Sequence, residues 1–98
     1  MTYQIDLGSL TKNISIIDVI HEMERQDEEW GNNRSHDPFE WLAILSEESG
    51  EFAQSALHTK YDGKEDGNNR MYEEIIHVAA VAIQIADCLV RKEWTWNK

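Results

Sequence analysis

Two stretches of this sequence gather groups able to hold a cation. In "LSEESGEF", residues 45 to 52, stand Glu47, Glu48 and Glu51; in "YEEIIHVAAVAIQIADCL", which begins at Tyr72, Glu74 and His77 stand at the mouth of an almost wholly apolar run. On a helix, Glu48 and Glu51 are about 60° apart around the axis and Glu47 and Glu51 about 40°, so the three carboxylates share a face. No Lys or Arg lies between positions 39 and 59 to offset them, and like charges at these spacings repel by a few tenths of a kcal/mol per pair. Glu74 and His77 are again three apart, and a carboxylate at the edge of an apolar helix is costly unless paired, protonated or metal-bound. Four acids from two packed helices make a hard-oxygen cage of the kind Mg²⁺ accepts.

Three helices would have to position these groups. The first is expected near Ser15, with Asp18 three residues on as a weak capping box, running through Ile16, Ile17, Val19, Ile20 and Met23 to Trp30 and Gly31. The second has the clearer start: Asp37 as cap, Pro38 at the first helical position and Glu40 completing an Asp-x-x-Glu box. Its core stripe is read as Leu42, Leu45, Ser49, Phe52 and Ala56, and it should stop before "KYDGKEDGNN". The third runs from about Asn69 to Arg91. Residues 1 to 14 alternate at Tyr3, Ile5 and Leu7, which suits an extended arm, and residues 92 to 98 form a short tail.

Composition narrows the function classes. With 98 residues the chain makes one small domain of marginal core area, so association with a second copy is expected. The formal net charge of -10 argues against nucleic-acid and anionic-membrane binders, which need basic patches. The single cysteine, Cys88, excludes an intrachain disulfide, and the opening residues lack a signal-peptide pattern, so a reduced, cytoplasmic protein is expected. The greasy run Ile75–Leu89 is too short for a span of about 20 residues and carries His77, Gln84 and Asp87. The expected fold class is all-α, a bundle of three main helices that homodimerisation would complete.

"EWLAILSEESGEF" followed by "YEEIIHVAAVAI" resembles the MazG-like branch of the all-α nucleoside triphosphate pyrophosphohydrolases, whose signature is EExxE, a spacer, then ExxD. "QDEEWG" and "HDPFEWLAIL" resemble the lead-in of small phage and mobile-element members, and the likeness covers roughly residues 20 to 90. The resemblance implies hydrolysis of a (deoxy)nucleoside triphosphate between the α and β phosphates, with Mg²⁺, by a dimer or dimer of dimers. By position, Glu48 and Glu51 match the ExxE ligands, Glu47 the preceding acid and Glu74 the Glu of ExxD. The fourth ligand departs from the pattern, because His77 stands where the family has Asp. Imidazole favours Mn²⁺ or another transition metal over Mg²⁺. Three outcomes stay open: a site of three acids with a changed metal preference, a His77 turned outward, or lost activity.

The implied roles are then as follows. Glu48, Glu51, Glu74 and His77 are candidate metal ligands, and Glu47 is the candidate for orienting or deprotonating water. Lys60, Lys64 and Arg70 are candidate phosphate cations, and a base could stack on Trp30 or Trp41 with Asn32 or Asn33 reading its edge; core packing is the competing reading for Trp41. The alternative function is a non-catalytic acidic helical binding module that kept the scaffold. Convergence of the acids discriminates the two.

Overall fold

In the computed structural model, which describes residues 7–32, 34–63 and 67–97, with the side chains of residues 7–9 left aside, the chain is all-α: α1 (Leu7–Trp30), α2 (Pro38–Asp62) and α3 (Gly67–Arg91). There is no strand among the described residues. The helix α3 lies between the other two: α1 packs on one of its sides and α2 on the other, while the backbones of α1 and α2 stay apart.

The start of α2 follows the expected chemistry. The Asp37 carboxylate accepts from the Glu40 amide at 2.8 Å, and the Glu40 carboxylate accepts from the Asp37 amide at 2.9 Å. That reciprocal box satisfies amides which the first helical turn leaves free. At the other end the helix continues through Lys60 and Tyr61 to Asp62, past the expected stop, until Gly63 adopts a left-handed conformation at φ 61°. Gly67 then opens α3, where a methyl group would meet Thr59 Oγ1 at 2.2 Å; only glycine lets the backbone pass that close.

Three expectations require correction. The first helix begins at Leu7, so residues 7 to 14 are helical and not an extended arm; residues 1 to 6 lie outside the described part. Ser15 is not a cap because its hydroxyl donates to the Thr11 carbonyl one turn back, inside the helix. The expected stripe of α2 is its packed side only in part. Leu45, Phe52 and Ala56 are half-buried, but Leu42 is 55% exposed and Ser49 is exposed, and the packed side takes in instead Trp41 and Ser55, which are buried, and Glu48. On α1, Ile16, Ile17 and Ile20 face outward; the buried face is Val19, Glu22 and Gln26. Val19 packs with Ile76 and Ala80 of α3, flanked by Met23 and Ala79.

The last residues return along the start of α2. Asn97 donates its amide to Asp37 at 2.9 Å and its side-chain nitrogen to Glu40 at 2.7 Å, the Ser35 hydroxyl donates to the Glu93 carbonyl, and Trp96 lies against Phe39. Arg91 also donates to the Arg34 carbonyl at 3.2 Å. The loop between α1 and α2 is therefore held by the end of the chain.

Candidate metal centre

The turn of α2 towards α3 brings the two acidic stretches together. One oxygen each of Glu48, Glu51 and Glu74 and one nitrogen of His77 all lie within 4.8 Å of one another. His77 Nδ1 is 3.6 Å from Glu74 Oε2 and 3.8 Å from Glu48 Oε2. These are ion-pair separations, longer than hydrogen bonds. Glu48 Oε2 and Glu74 Oε2 are buried without any hydrogen-bond partner, an expensive condition for a carboxylate oxygen and one that a cation would relieve.

Electrostatics point the same way. Burial pushes the Glu48 carboxyl above its ordinary value, and the charges of Glu51, Glu74 and Glu47 add to the rise against the opposing influence of His77. Glu74 is raised as well, by burial and by Glu51, with His77 and Arg70 opposing. Both acids resist ionisation because the neighbouring anions have no cation among them strong enough to offset burial. Hard carboxylate oxygens plus one imidazole make a donor set for Mg²⁺ or, better, a borderline ion such as Mn²⁺.

Three clefts reach this cluster, one of them on the Glu22 side of His77. The larger of the other two, of about 730 Å³, is lined by Arg25 and Trp30 of α1, by Arg34 and His36 of the following loop, by Ile44, Glu47, Glu48 and Glu51 of α2, and by His77 and Val81 of α3. The smaller lies beyond Glu51 and Glu74 and includes Ser55, Thr59, Gly67 and Arg70. Glu51 borders both.

The remaining expected site residues are scattered. Trp30, 61% exposed, offers an open ring at the rim of the larger cleft. Arg70 stands in the smaller one. Trp41 cannot stack a base: it is 2% exposed, with the His36 ring edge-on at 4.7 Å and the Arg34 guanidinium 5.4 Å from its centroid. Lys60 lies over the Tyr61 ring and lines neither cleft. Asn33 and Lys64 lie outside the described residues.

Glu22 is the residue that sequence reasoning missed. It is 8% exposed and comes from α1, with Oε1 3.6 Å from His77 Nε2. Arg25 donates to both of its oxygens, at 2.7 and 2.6 Å, and Gln26 donates at 2.9 Å. Burial alone would raise its carboxyl, but the hydrogen bonds from Arg25 and Gln26, with the charges of His77 and Arg25, hold it below its ordinary value. A signal was available: Glu22 lies three residues after Val19 on the same helical face, an acid on an apolar side just as Glu74 is. Arg25, Arg34 and His36 also went unassigned, since nothing local ties them to the acids.

No protein-family model, curated protein or solved structure matches this chain.

Proposed function

We propose that this chain is a metal-dependent hydrolase of (deoxy)nucleoside triphosphates, of the MazG-like pyrophosphohydrolase kind, releasing a monophosphate and pyrophosphate. The observation that carries the reading is the convergence of Glu48, Glu51, Glu74 and His77 from two helices, with two buried carboxylate oxygens that accept no hydrogen bond. The same convergence favours the hydrolase over a purely structural acidic module, in which these side chains would point separately to solvent.

Glu48, Glu51, Glu74 and His77 would hold Mg²⁺ or Mn²⁺. Bound there, a divalent cation supplies the positive charge that anchors and neutralises phosphate oxygens. The chain's own groups supply the rest. The nucleoside lies in the larger cleft, whose volume suits a small-molecule ligand, with its base on the open face of Trp30 and Arg34 or Arg25 near its polar edge. The polyphosphate crosses at Glu51 into the smaller cleft, where Arg70 meets it. Water adds to the α phosphorus and the bond from that phosphorus to the bridging oxygen breaks. The bridging oxygen leaves with pyrophosphate, and the proton of the water passes to Glu47, an exposed carboxylate on the wall of the larger cleft.

No described helix is long and apolar enough to cross a membrane, which accords with the proposed cytoplasmic nucleotide chemistry. A homodimer is the proposed assembly. The test is pyrophosphate release from a panel of canonical and modified nucleoside triphosphates, with Mg²⁺ and Mn²⁺ separately, for the wild type and Glu48→Gln. Turnover lost by at least about a hundredfold in the variant is expected, the scale of losing a group that acts on the transition state. Silence from folded wild-type protein with either metal would leave the acidic binding module as the better reading.

A further inference from the structure

His77 stands between two carboxylate environments. Its Nδ1 faces Glu74 and Glu48 at 3.6 and 3.8 Å, and its Nε2 faces Glu22 on α1 at 3.6 Å. The ring thus links α1 to the cluster formed by α2 and α3.

Glu22 differs in kind from the acids it approaches. Both of its oxygens are occupied by Arg25, and one also by Gln26, so the carboxylate is anchored to its own helix and is not free to swing into the cluster. It is a fixed, nearly buried anion aimed at one nitrogen of an imidazole. An imidazole that offers a lone pair from Nδ1 must carry its proton on Nε2. With Nδ1 and the acids facing it engaged by a metal, a carboxylate beside Nε2 favours that tautomer and fixes the ring plane, an arrangement that recurs behind metal-bound histidines. The 3.6 Å separation exceeds a hydrogen bond, and the final torsion of a histidine is broad rather than fixed.

We propose that Glu22 is the positioning residue that makes His77 a metal ligand through Nδ1, and that this pair gives the site a preference for Mn²⁺ over Mg²⁺. The inference rests on the metal-centre reading above. Mn²⁺ accepts an imidazole nitrogen among oxygen ligands more readily than Mg²⁺ does. Loss of the Glu22 contact therefore acts on the nitrogen-dependent part of the affinity and leaves the oxygen-dependent part in place.

The experiment is calorimetric titration of the metal-free full chain with Mn²⁺ and, separately, Mg²⁺, for wild type, Glu22→Gln, His77→Asp and the double variant. Expected are a wild type that prefers Mn²⁺, a Glu22→Gln chain whose Mn²⁺ affinity falls about 10–100-fold with Mg²⁺ affinity nearly unchanged, and no further effect of Glu22→Gln once His77 is Asp. A Glu22→Gln chain that binds Mn²⁺ like the wild type overturns the inference, as does equal weakening of both metals that persists in the His77→Asp background. Should the wild type bind neither metal, this inference and the metal-centre reading fall together, whereas the preceding outcomes remove only the role of Glu22. Because Glu22→Gln also disturbs Arg25, the wild type is read directly by histidine-selective ¹⁵N spectra with Zn²⁺, the His77 signals being those absent from His77→Asp. Protonated Nε2 with a shifted Nδ1 is expected; a proton on Nδ1 overturns the proposal.

Discussion

Glu48 sets two demands against each other. A proposed metal site wants its charge, but burial and the surrounding acids make that charge unfavourable in the metal-free chain. The opposition predicts effects of opposite sign from one substitution. Glu48→Gln should raise the melting temperature of the metal-free protein by about 3–6 °C, since it removes several like-charge repulsions of a few tenths of a kcal/mol each from a chain of this size. The same variant should lose the stabilisation that Mn²⁺ confers on the wild type, about 2.7 kcal/mol at one hundred times the dissociation constant. Thermal unfolding with and without saturating Mn²⁺ checks both halves, and a variant destabilised without metal would remove the electrostatic account. At this scale the sequence was most readable where one helix supplied the pattern. Spacing of three between Glu48 and Glu51, and between Glu74 and His77, puts each pair on one face whatever the tertiary packing. Glu22 was hidden because its meaning depends on a residue of another helix. Trp41 is ambiguous for a related reason: a tryptophan beside a polar loop suits a stacking platform as well as a core, and only the approach of His36 and Arg34 decides for the core.

Helix ends and loops carry the next level of specification. The Asp37–Glu40 box was legible because both partners lie within one turn. The second anchor of Asp37, the amide of Asn97, comes from the far end of the chain and could not be inferred. Backbone donation from Glu40 and then from Asn97, with the charge of His36 adding, holds the Asp37 carboxyl below its ordinary range. A folded-state value below the unfolded value of about 3.9 means that this contribution to stability is complete above the unfolded value and is lost as pH falls through the folded one. Acidification below about pH 4 should therefore release the tail, seen as movement of the Asn97 amide cross-peak. Asp37→Ala should lower the melting temperature by about 5 °C and abolish that transition. An Asn97 cross-peak that does not move in acid would mean the tail is held chiefly by Trp96 on Phe39 and by Arg91. The packed side of α2 is legible only in part for lack of such long-range information. Trp41, Leu42, Ile44 and Leu45 form one broad apolar arc, with Trp41 and Leu45 about 40° apart, and periodicity cannot choose where on that arc α3 packs.

The molecule as a whole is flat and open, which bears on its assembly. Its radius of gyration is 16.4 Å, against about 13 Å for a compact domain of this length, and its extents are 49 × 48 × 20 Å. One cause is visible in the helix order: with α3 in the middle and the backbones of α1 and α2 apart, each outer helix buries only one side. Leu10, Ile14 and Ile17 make an i, i+4, i+7 stripe on α1, each 46–58% exposed together with Ile16, and Leu42, Leu57, Ile83 and Leu89 are similarly open. Scattered exposed apolar residues are ordinary, but a stripe along a helix is the pattern that a partner covers. A second copy of the chain is the proposed partner, and light scattering on the eluting protein should give twice the chain mass. Ile14→Glu with Ile17→Glu should shift it to one chain mass while the helical circular dichroism signal remains. The net charge of -10 on each copy opposes the union of two, so the dimer should tighten as salt screens that repulsion. A wild type that stays monomeric at high salt and high concentration would show instead that the open helical layer is the complete assembly.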